Sequence, residues 1–382
     1  MIRDSILKVI SEETGGDIYS TGRYCIDDFS DAQMRARNVS SRKINFKKRG
    51  ETRNTTEYVN LKPAAEQLST ENESFFSYFL DGSRHVYKIA DVGYDSTVYP
   101  IVAGQIGVGF CARENKVMSA GKCVMKNYIV LPAAADKDGR SKDPFKKLLS
   151  RVQDYCAKLP LGICFDEILR YSVGKEEDAL TKATALIQDK MIQSELATVK
   201  ALVEAEEPND KKYLIKDGSL EYPRQSEKNQ NSFSNILNHF KFVVGVSKSF
   251  NADLAEMSDK SRASSIIANL PLYSRTPAYR YAPERVGEEF AVWYVRIRET
   301  RLTQSPFDGV LKIEKVLWNE EEKRAGLDSD TINTLSASLI NERNPCCYGS
   351  DTRWANHIYP VYITERYIKS HYLSPQVFTS IF

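Results

Sequence analysis

The segment from Phe75 to Pro132 constrains the fold most, because strand-like runs follow one another there with only short breaks. The runs "FFSYFLD", "HVYKIADVG", "VYPIVAGQIGVGFCA" and "KNYIVLP" are rich in Tyr, Val, Ile and Phe, which favour strands. Gly, Asp and Ser separate them, as is typical of turns. The pattern predicts an antiparallel meander whose first strand ends at Asp81, directly before a glycine turn.

The rest of the chain mixes helical and strand-like segments. A long helical pattern runs from Glu176 to about Glu206 and is followed by the strand-like runs "KYLIKD", "FVVGVSKS" and "FAVWYVRIRET". In the last run, alternation predicts a core face with Trp293 and an open face with Arg296 and Arg298. We therefore expect an α/β protein with a mixed sheet and flanking helices.

Composition suggests a folded protein with one large domain and an added segment. The chain has 382 residues, 42% of them hydrophobic, and a formal net charge of only +2, so an anionic partner would have to meet a local patch. Residues 1–72 are polar and contain the basic stretch "MRARNVSSRKINFKKRGETR", which includes Lys47, Lys48 and Arg49. This stretch is either a solvated arm or a contact for DNA or a partner. We place the main domain at 73–382.

The cysteines and the hydropathy pattern favour a cytoplasmic location. Seven cysteines include no Cys-x-x-Cys pair, which suggests unpaired thiols in a reducing compartment rather than disulfides or zinc. No long apolar run or secretory leader is visible.

Three carboxylates stand out in the order strand, helix, strand. A second apolar run followed by Asp-Gly-Ser places Asp217 as the first places Asp81, and Glu195 falls within the apolar stripe of the long helix. An RNase H-like fold collects acids in this order at one sheet edge, where oxygen ligands suit Mg²⁺ or Mn²⁺. Alternatively, each Asp-Gly-Ser is only a turn, and Glu195 reaches water at a helix edge.

Four short motifs resemble those of the NurA nuclease family. They are "FLDGSR", "LIKDGSL", "VGVSKS" and the C-terminal "YPVYITERYI", spread over roughly residues 75–375. The resemblance implies an RNase H-like core related to PIWI domains, divalent-metal chemistry on DNA, a homodimer, and a HerA-type hexameric ATPase as partner.

The resemblance also implies roles for particular residues. Asp81 and Asp217 match the family's metal-binding aspartates, Glu195 matches its helix glutamate better than Glu204 does, and Lys248 matches a lysine that would meet the phosphate. The family's C-terminal histidine is missing, because Tyr367 stands at that position. Glu365 or His371 could substitute for it by reaching the same metal from a neighbouring turn. Arg84, Arg296 and Arg298 could guide the DNA strand.

Three functions remain open from the sequence. The first is a Mn²⁺- or Mg²⁺-dependent DNA nuclease that works with a HerA-type ATPase in end processing or anti-phage defence. The second is an inactive RNase H-like subunit that binds DNA or acts as a scaffold. The third, a guide-dependent endonuclease, is disfavoured because the chain leaves little room for guide-anchoring domains. No Gly-x-Ser-x-Gly elbow or phosphate-binding loop is present, so neither serine chemistry nor ATP hydrolysis is expected.

Overall fold

A computed structural model describes most of the chain. The described residues are 5–26, 44–47, 50–71, 74–136, 145–174, 177–222, 237–252, 255–257, 263–283, 286, 288–345 and 354–382. The strands are β1 (Asp17–Tyr19), β2 (Tyr24–Cys25), β3 (Ile44–Phe46), β4 (Val59–Asn60), β5 (Phe76–Tyr94), β6 (Thr97–Glu114), β7 (Val117–Pro132), β8 (Glu167–Tyr171), β9 (Tyr213–Asp217), β10 (Val243–Ser247), β11 (Ala255–Met257), β12 (Ser274–Arg275), β13 (Tyr279–Tyr281), β14 (Phe290–Arg296) and β15 (Val310–Val316). The α-helices are α1 (Ile6–Thr14), α2 (Lys62–Glu71), α3 (Lys146–Cys156), α4 (Ala179–Glu204), α5 (Ala263–Ala268), α6 (Glu320–Ala325), α7 (Ser329–Asn341), α8 (Tyr359–Lys369) and α9 (Pro375–Ser380).

The predicted meander is present, but its first strand does not stop at Asp81. Strands β5, β6 and β7 are 19, 18 and 16 residues long and pair antiparallel. Gly82 continues the ladder opposite Val108 of β6, so the predicted glycine turn at this point is wrong. Because the neighbouring strand satisfies the backbone groups of Gly82, this glycine lies within a strand interior.

The central strands have the order of an RNase H-like sheet. Strands β7, β6, β5, β9 and β10 lie side by side, with β9 parallel to β5 and β10 parallel to β9. Antiparallel β15 and β14 extend the sheet beyond β10, and β8 adds a parallel strand beyond β7. This confirms the predicted α/β class with a mixed sheet, and α4 confirms the predicted long helix.

Helices cover both faces of the sheet near β5 and β9. On one face, Leu80 and Leu214 pack with Val199 of α4. On the other face, Phe79 packs in the cluster that includes Val361 of α8. Successive residues of a strand point to opposite faces, so neighbouring residues of β5 and β9 face different helices.

The predicted open face of β14 is wrong, because this strand is buried on both sides. All seven of its residues are buried, including Arg296, which is 1% exposed. The Arg296 guanidinium donates hydrogen bonds to backbone carbonyls of Ile267, Ala268, Leu270, Pro306 and Asp308. These contacts place Arg296 in the core, where it cannot guide a DNA strand.

Parts of the N-terminal segment join the same sheet. Strands β1 and β2 pair with β5, and β4 pairs with β12. The buried carboxylate of Glu51 accepts hydrogen bonds from both terminal nitrogens of Arg275, at 3.1 and 2.8 Å. The domain boundary at residue 72 therefore stays a prediction, with described residues on both sides contributing to one sheet. None of the helices in the described ranges has the length and apolar character that a membrane span requires.

Lys315 gives the fold a testable pH dependence. It is buried in β15, and its Nζ donates to the backbone oxygen of Lys241 at 2.7 Å. Burial lowers its pKa from 10.5 to about 8. Between pH of about 8 and 10.5, the unfolded chain therefore binds more protons than the folded chain. The free energy of unfolding should rise with pH across this range.

We expect Lys315→Met to stabilise the protein at pH 7 by about 1–3 kcal/mol, because a buried charge is removed. In denaturant titrations, this gain should shrink at pH 9.5. Lys312→Met is the matched control, since Lys312 pairs with Glu314 at 2.5 Å and its loss should destabilise the fold. A Lys315→Met protein that is less stable at pH 7 would contradict the prediction.

Candidate active site

A cavity opens in the sheet where β5 and β9 separate. The pairing of these strands runs as far as Leu80 opposite Lys216, and β9 ends one residue later at Asp217. The cavity has a volume of about 450 Å³. Its lining includes all four residues predicted for catalysis, namely Asp81, Glu195, Asp217 and Lys248.

Asp81 is a buried carboxylate that is only 5% exposed. Among the described residues, no hydrogen bond or ion pair reaches its oxygens. Burial, and then the nearby charge of Asp217, raise the pKa of Asp81 well above its usual range. A buried carboxylate in this state is costly unless a cation or proton meets it.

Asp217 lies in a chain of alternating charges. Its Oδ2 is 3.0 Å from Nζ of Lys248, which is also 3.8 Å from Oε2 of Glu365 on α8. Lys369, one turn further along α8, contacts Glu365 at 2.6 Å. Burial disfavours the charged form of Lys248, but Asp217, Asp81 and Glu365 outweigh it and raise the Lys248 pKa.

Glu195 belongs to a second charged group. Its Oε2 is 3.1 Å from Nζ of Lys216 and accepts a hydrogen bond from the Tyr222 hydroxyl at 3.3 Å. The Lys216 and Glu195 side chains are 8% and 3% exposed. The attraction of Glu195 outweighs the burial of Lys216 and holds the pKa of its ammonium above the ordinary value.

Strand alternation separates these two groups. Gly82 faces Glu195, because a Cβ built on this glycine would lie 2.2 Å from Oε1 of Glu195. Its neighbour Asp81 therefore points to the opposite face. In the same way, Lys216 points toward α4, whereas Asp217 points toward α8. The three predicted acids line one cavity but approach it from two faces of the sheet.

Glu314 positions the loop that follows Asp217. This buried carboxylate on β15 accepts hydrogen bonds from Ser219 Oγ at 2.7 Å and from the backbone N–H of Leu220 at 2.8 Å. The loop crosses β10 at Gly245, where a Cβ would lie 2.7 Å from the Leu220 side chain. Ser219 in turn offers its carbonyl to Lys216 at 3.1 Å.

Sequence reasoning missed Lys216, Tyr222, Gly82 and Glu314. A lysine inside the apolar run "YLIKD" was a usable signal, because buried lysines are rare unless they are paired. No local signal identified Glu314, since its role depends on a loop 94 residues away in the chain.

The other predicted residues are spread more widely. Of the three C-terminal candidates, Glu365 reaches the site through Lys248. The Tyr367 hydroxyl instead donates a hydrogen bond to the Gly121 carbonyl at 2.9 Å. His371 is exposed, with its Nδ1 2.9 Å from the Tyr367 carbonyl. The predicted DNA contacts are scattered: Arg84 is half-buried on β5, Arg298 contacts the Trp354 ring, and Lys47 is exposed. Glu204, the weaker candidate for the helix acid, pairs with Lys200 at the surface. Lys48 and Arg49 lie outside the described residues.

The donor set fits a hard divalent ion only in part. Carboxylate oxygens suit Mg²⁺ or Mn²⁺, and Asp81 lies near the charge of Asp217. Within the described ranges, however, no three acid, histidine or cysteine side chains converge as a ready metal site. Lysine ammonium groups stand next to Asp217 and Glu195 instead.

Comparison with known proteins gives one structural likeness to report. The crystal structure of the NurA nuclease from Sulfolobus solfataricus matches with a TM-score of 0.41 and 10% sequence identity, over 81% of this chain and 88% of that one. No family model and no curated protein matches the chain. Because the TM-score is below 0.5, this likeness carries no weight for function.

Gly82 should tolerate no side chain while Glu195 is in place. We expect Gly82→Ala to lower the free energy of unfolding by about 1–3 kcal/mol, because the new methyl group overlaps the Glu195 carboxylate. Combining it with Glu195→Ala should remove most of this cost in a double-mutant cycle. Gly22→Ala is the control, since nothing lies within 4 Å of its Cβ position. An additive cycle would contradict the predicted contact.

Proposed function

We propose that this protein is a metal-dependent deoxyribonuclease that hydrolyses phosphodiester bonds in the cavity at Asp81. One observation carries the proposal: Asp81 is buried, lacks a partner in the described part of the chain, and faces a second aspartate at the opening of an RNase H-like sheet. A divalent ion would relieve the electrostatic cost of this pair. The same two carboxylates would then hold the ion where a phosphodiester can enter.

The residues around the cavity have distinct proposed roles. Asp81 and Asp217 would hold Mn²⁺ or Mg²⁺, which when bound supplies Lewis-acid polarisation of the phosphodiester. Lys248 keeps its ammonium charged in the cavity lining, where it can neutralise a phosphate oxygen. Glu195, the third predicted acid, lines the same cavity, and Glu365 orients Lys248 from α8.

DNA is the proposed substrate, bound mainly through its phosphates. Contacts of this kind fix the position of a strand without selecting a sequence, so binding should weaken steeply with salt. Lys47, with Lys48 and Arg49, and also Arg84 and Arg298, remain proposed DNA contacts. A homodimer working with a HerA-type hexameric ATPase in DNA end processing or anti-phage defence completes the proposal, on the strength of the motif resemblance.

An inactive DNA-binding or scaffold subunit is the second candidate. The observation that favours it is the pairing of Asp217 with Lys248 and of Glu195 with Lys216. Two acids that are already paired have less need of a metal ion. Against it stands Asp81, whose buried charge is only partly offset by Lys248, so that its pKa stays well above the usual range.

Cleavage of linear duplex and single-stranded DNA with Mn²⁺ tests the proposal, with and without a HerA-type ATPase. We expect Asp81→Asn and Asp217→Asn each to lower the cleavage rate by roughly two orders of magnitude, because each removes a ligand charge. The matched control is Asp91→Asn on the same strand, where Asp91 pairs with Lys88 at 2.8 Å. This control should cleave within about threefold of the wild type.

Two results would count against the proposed nuclease activity. Equal activity in the wild type and both site variants would point to a contaminating enzyme. DNA binding without cleavage in Mn²⁺ or Mg²⁺, with or without the ATPase, would support the inactive DNA-binding or scaffold subunit instead.

A further inference from the structure

Lys216 is a cation built into the centre of the candidate site. It stands one residue before Asp217, and alternation directs it to the face of α4. Its Nζ is 3.1 Å from Glu195 Oε2, donates to the Ser219 carbonyl at 3.1 Å, and lies 5.3 Å from the centre of the Tyr222 ring. The ammonium is therefore enclosed by groups that favour positive charge.

One oxygen of the Glu195 carboxylate is bound by two neighbours. Oε2 meets Lys216 and the Tyr222 hydroxyl, and Oε1 lies over the bare backbone of Gly82. Pulling Glu195 toward a metal ion would leave Lys216 buried and unpaired, which is strongly unfavourable. Asp217 differs, because Lys248 keeps a second carboxylate partner, Glu365, at 3.8 Å. Glu195 is thus held as the partner of an ammonium group.

The charge balance of the centre favours one divalent ion over two. Lys369 pairs with Glu365 at 2.6 Å, which leaves the carboxylates of Asp81, Glu195 and Asp217 opposed by the two largely buried lysines Lys216 and Lys248. One negative charge stays uncompensated, so one divalent cation leaves a single positive charge, which one phosphodiester group would balance. A second divalent ion would leave three positive charges in the centre.

We propose that Lys216 takes the place of a second metal ion, so that the centre binds one divalent cation, at Asp81 and Asp217, while Glu195 is a positioning residue. This inference rests on the proposed nuclease function and refines it. It assigns to Glu195 a role different from the metal ligand that the motif resemblance implies. Lys216 lines the same cavity as Asp81 and Asp217 and brings a fixed positive charge to it.

Counting bound Mn²⁺ tests the inference directly. Mn²⁺ is titrated into the full-length protein without DNA, and free Mn²⁺ is followed by electron paramagnetic resonance. We expect one ion per wild-type chain and none at this centre in Asp81→Asn. Glu195→Gln should still bind one ion, but with a dissociation constant raised by roughly tenfold, because Lys216 loses its counter-charge although Glu195 does not touch the ion. Lys216→Met should bind a second ion, because it frees the Glu195 carboxylate.

Several outcomes would overturn the inference. They are two ions on the wild type, no ion on the wild type, loss of the ion in Glu195→Gln, or a folded Lys216→Met that binds only one. If Lys216→Met does not fold, the wild type and Glu195→Gln decide the question. Parallel DNA cleavage assays separate the two proposals. Cleavage by a wild type that binds two ions would overturn this inference alone. One bound ion without cleavage would overturn only the proposed nuclease function.

Discussion

The site depends on the alternation of side chains along β9. Because successive residues of a strand point to opposite faces, Lys216 faces α4 and Asp217 faces α8. This one constraint pairs Lys216 with Glu195 and Asp217 with Lys248. Asp81 obeys the same rule on β5, where its neighbour Gly82 leaves room for Glu195. The cavity therefore holds two charge-paired groups and Asp81, whose charge Lys248 offsets only in part.

The length of the meander strands gives this arrangement its rigidity. Strand β5 continues well beyond the end of β9, and β6 pairs with it on the far side. Asp81 is thus fixed within a strand interior, although the cavity opens beside it. A carboxylate at a turn could rotate toward water, whereas this one cannot easily do so. The cost of burying its charge makes Asp81 the most informative residue for function.

Buried charges also organise the far side of the site. Glu314 on β15 holds Ser219 and Leu220, and Lys312 contacts its other oxygen. The loop that follows Asp217 is anchored by hydrogen bonds to a strand that is not its direct neighbour. Since Lys216 donates to the Ser219 carbonyl, a change at Glu314 would be transmitted to the Glu195 pair. Such supporting hydrogen bonds commonly orient the groups that perform chemistry.

The sequence by itself determined the α/β class, the meander, the long helix and the order of the three acids, because periodicity and composition are local properties. The sequence wrongly predicted a turn at Gly82, because pairing with β6 keeps this Asp-Gly pair in a strand. It also wrongly predicted an open position for Arg296, because the backbone carbonyls that enclose this side chain come from other segments of the chain. Only the tertiary structure decided which charges meet. The pairing of Lys216 with Glu195 joins a strand to a helix, and no local pattern specifies the register that brings them together.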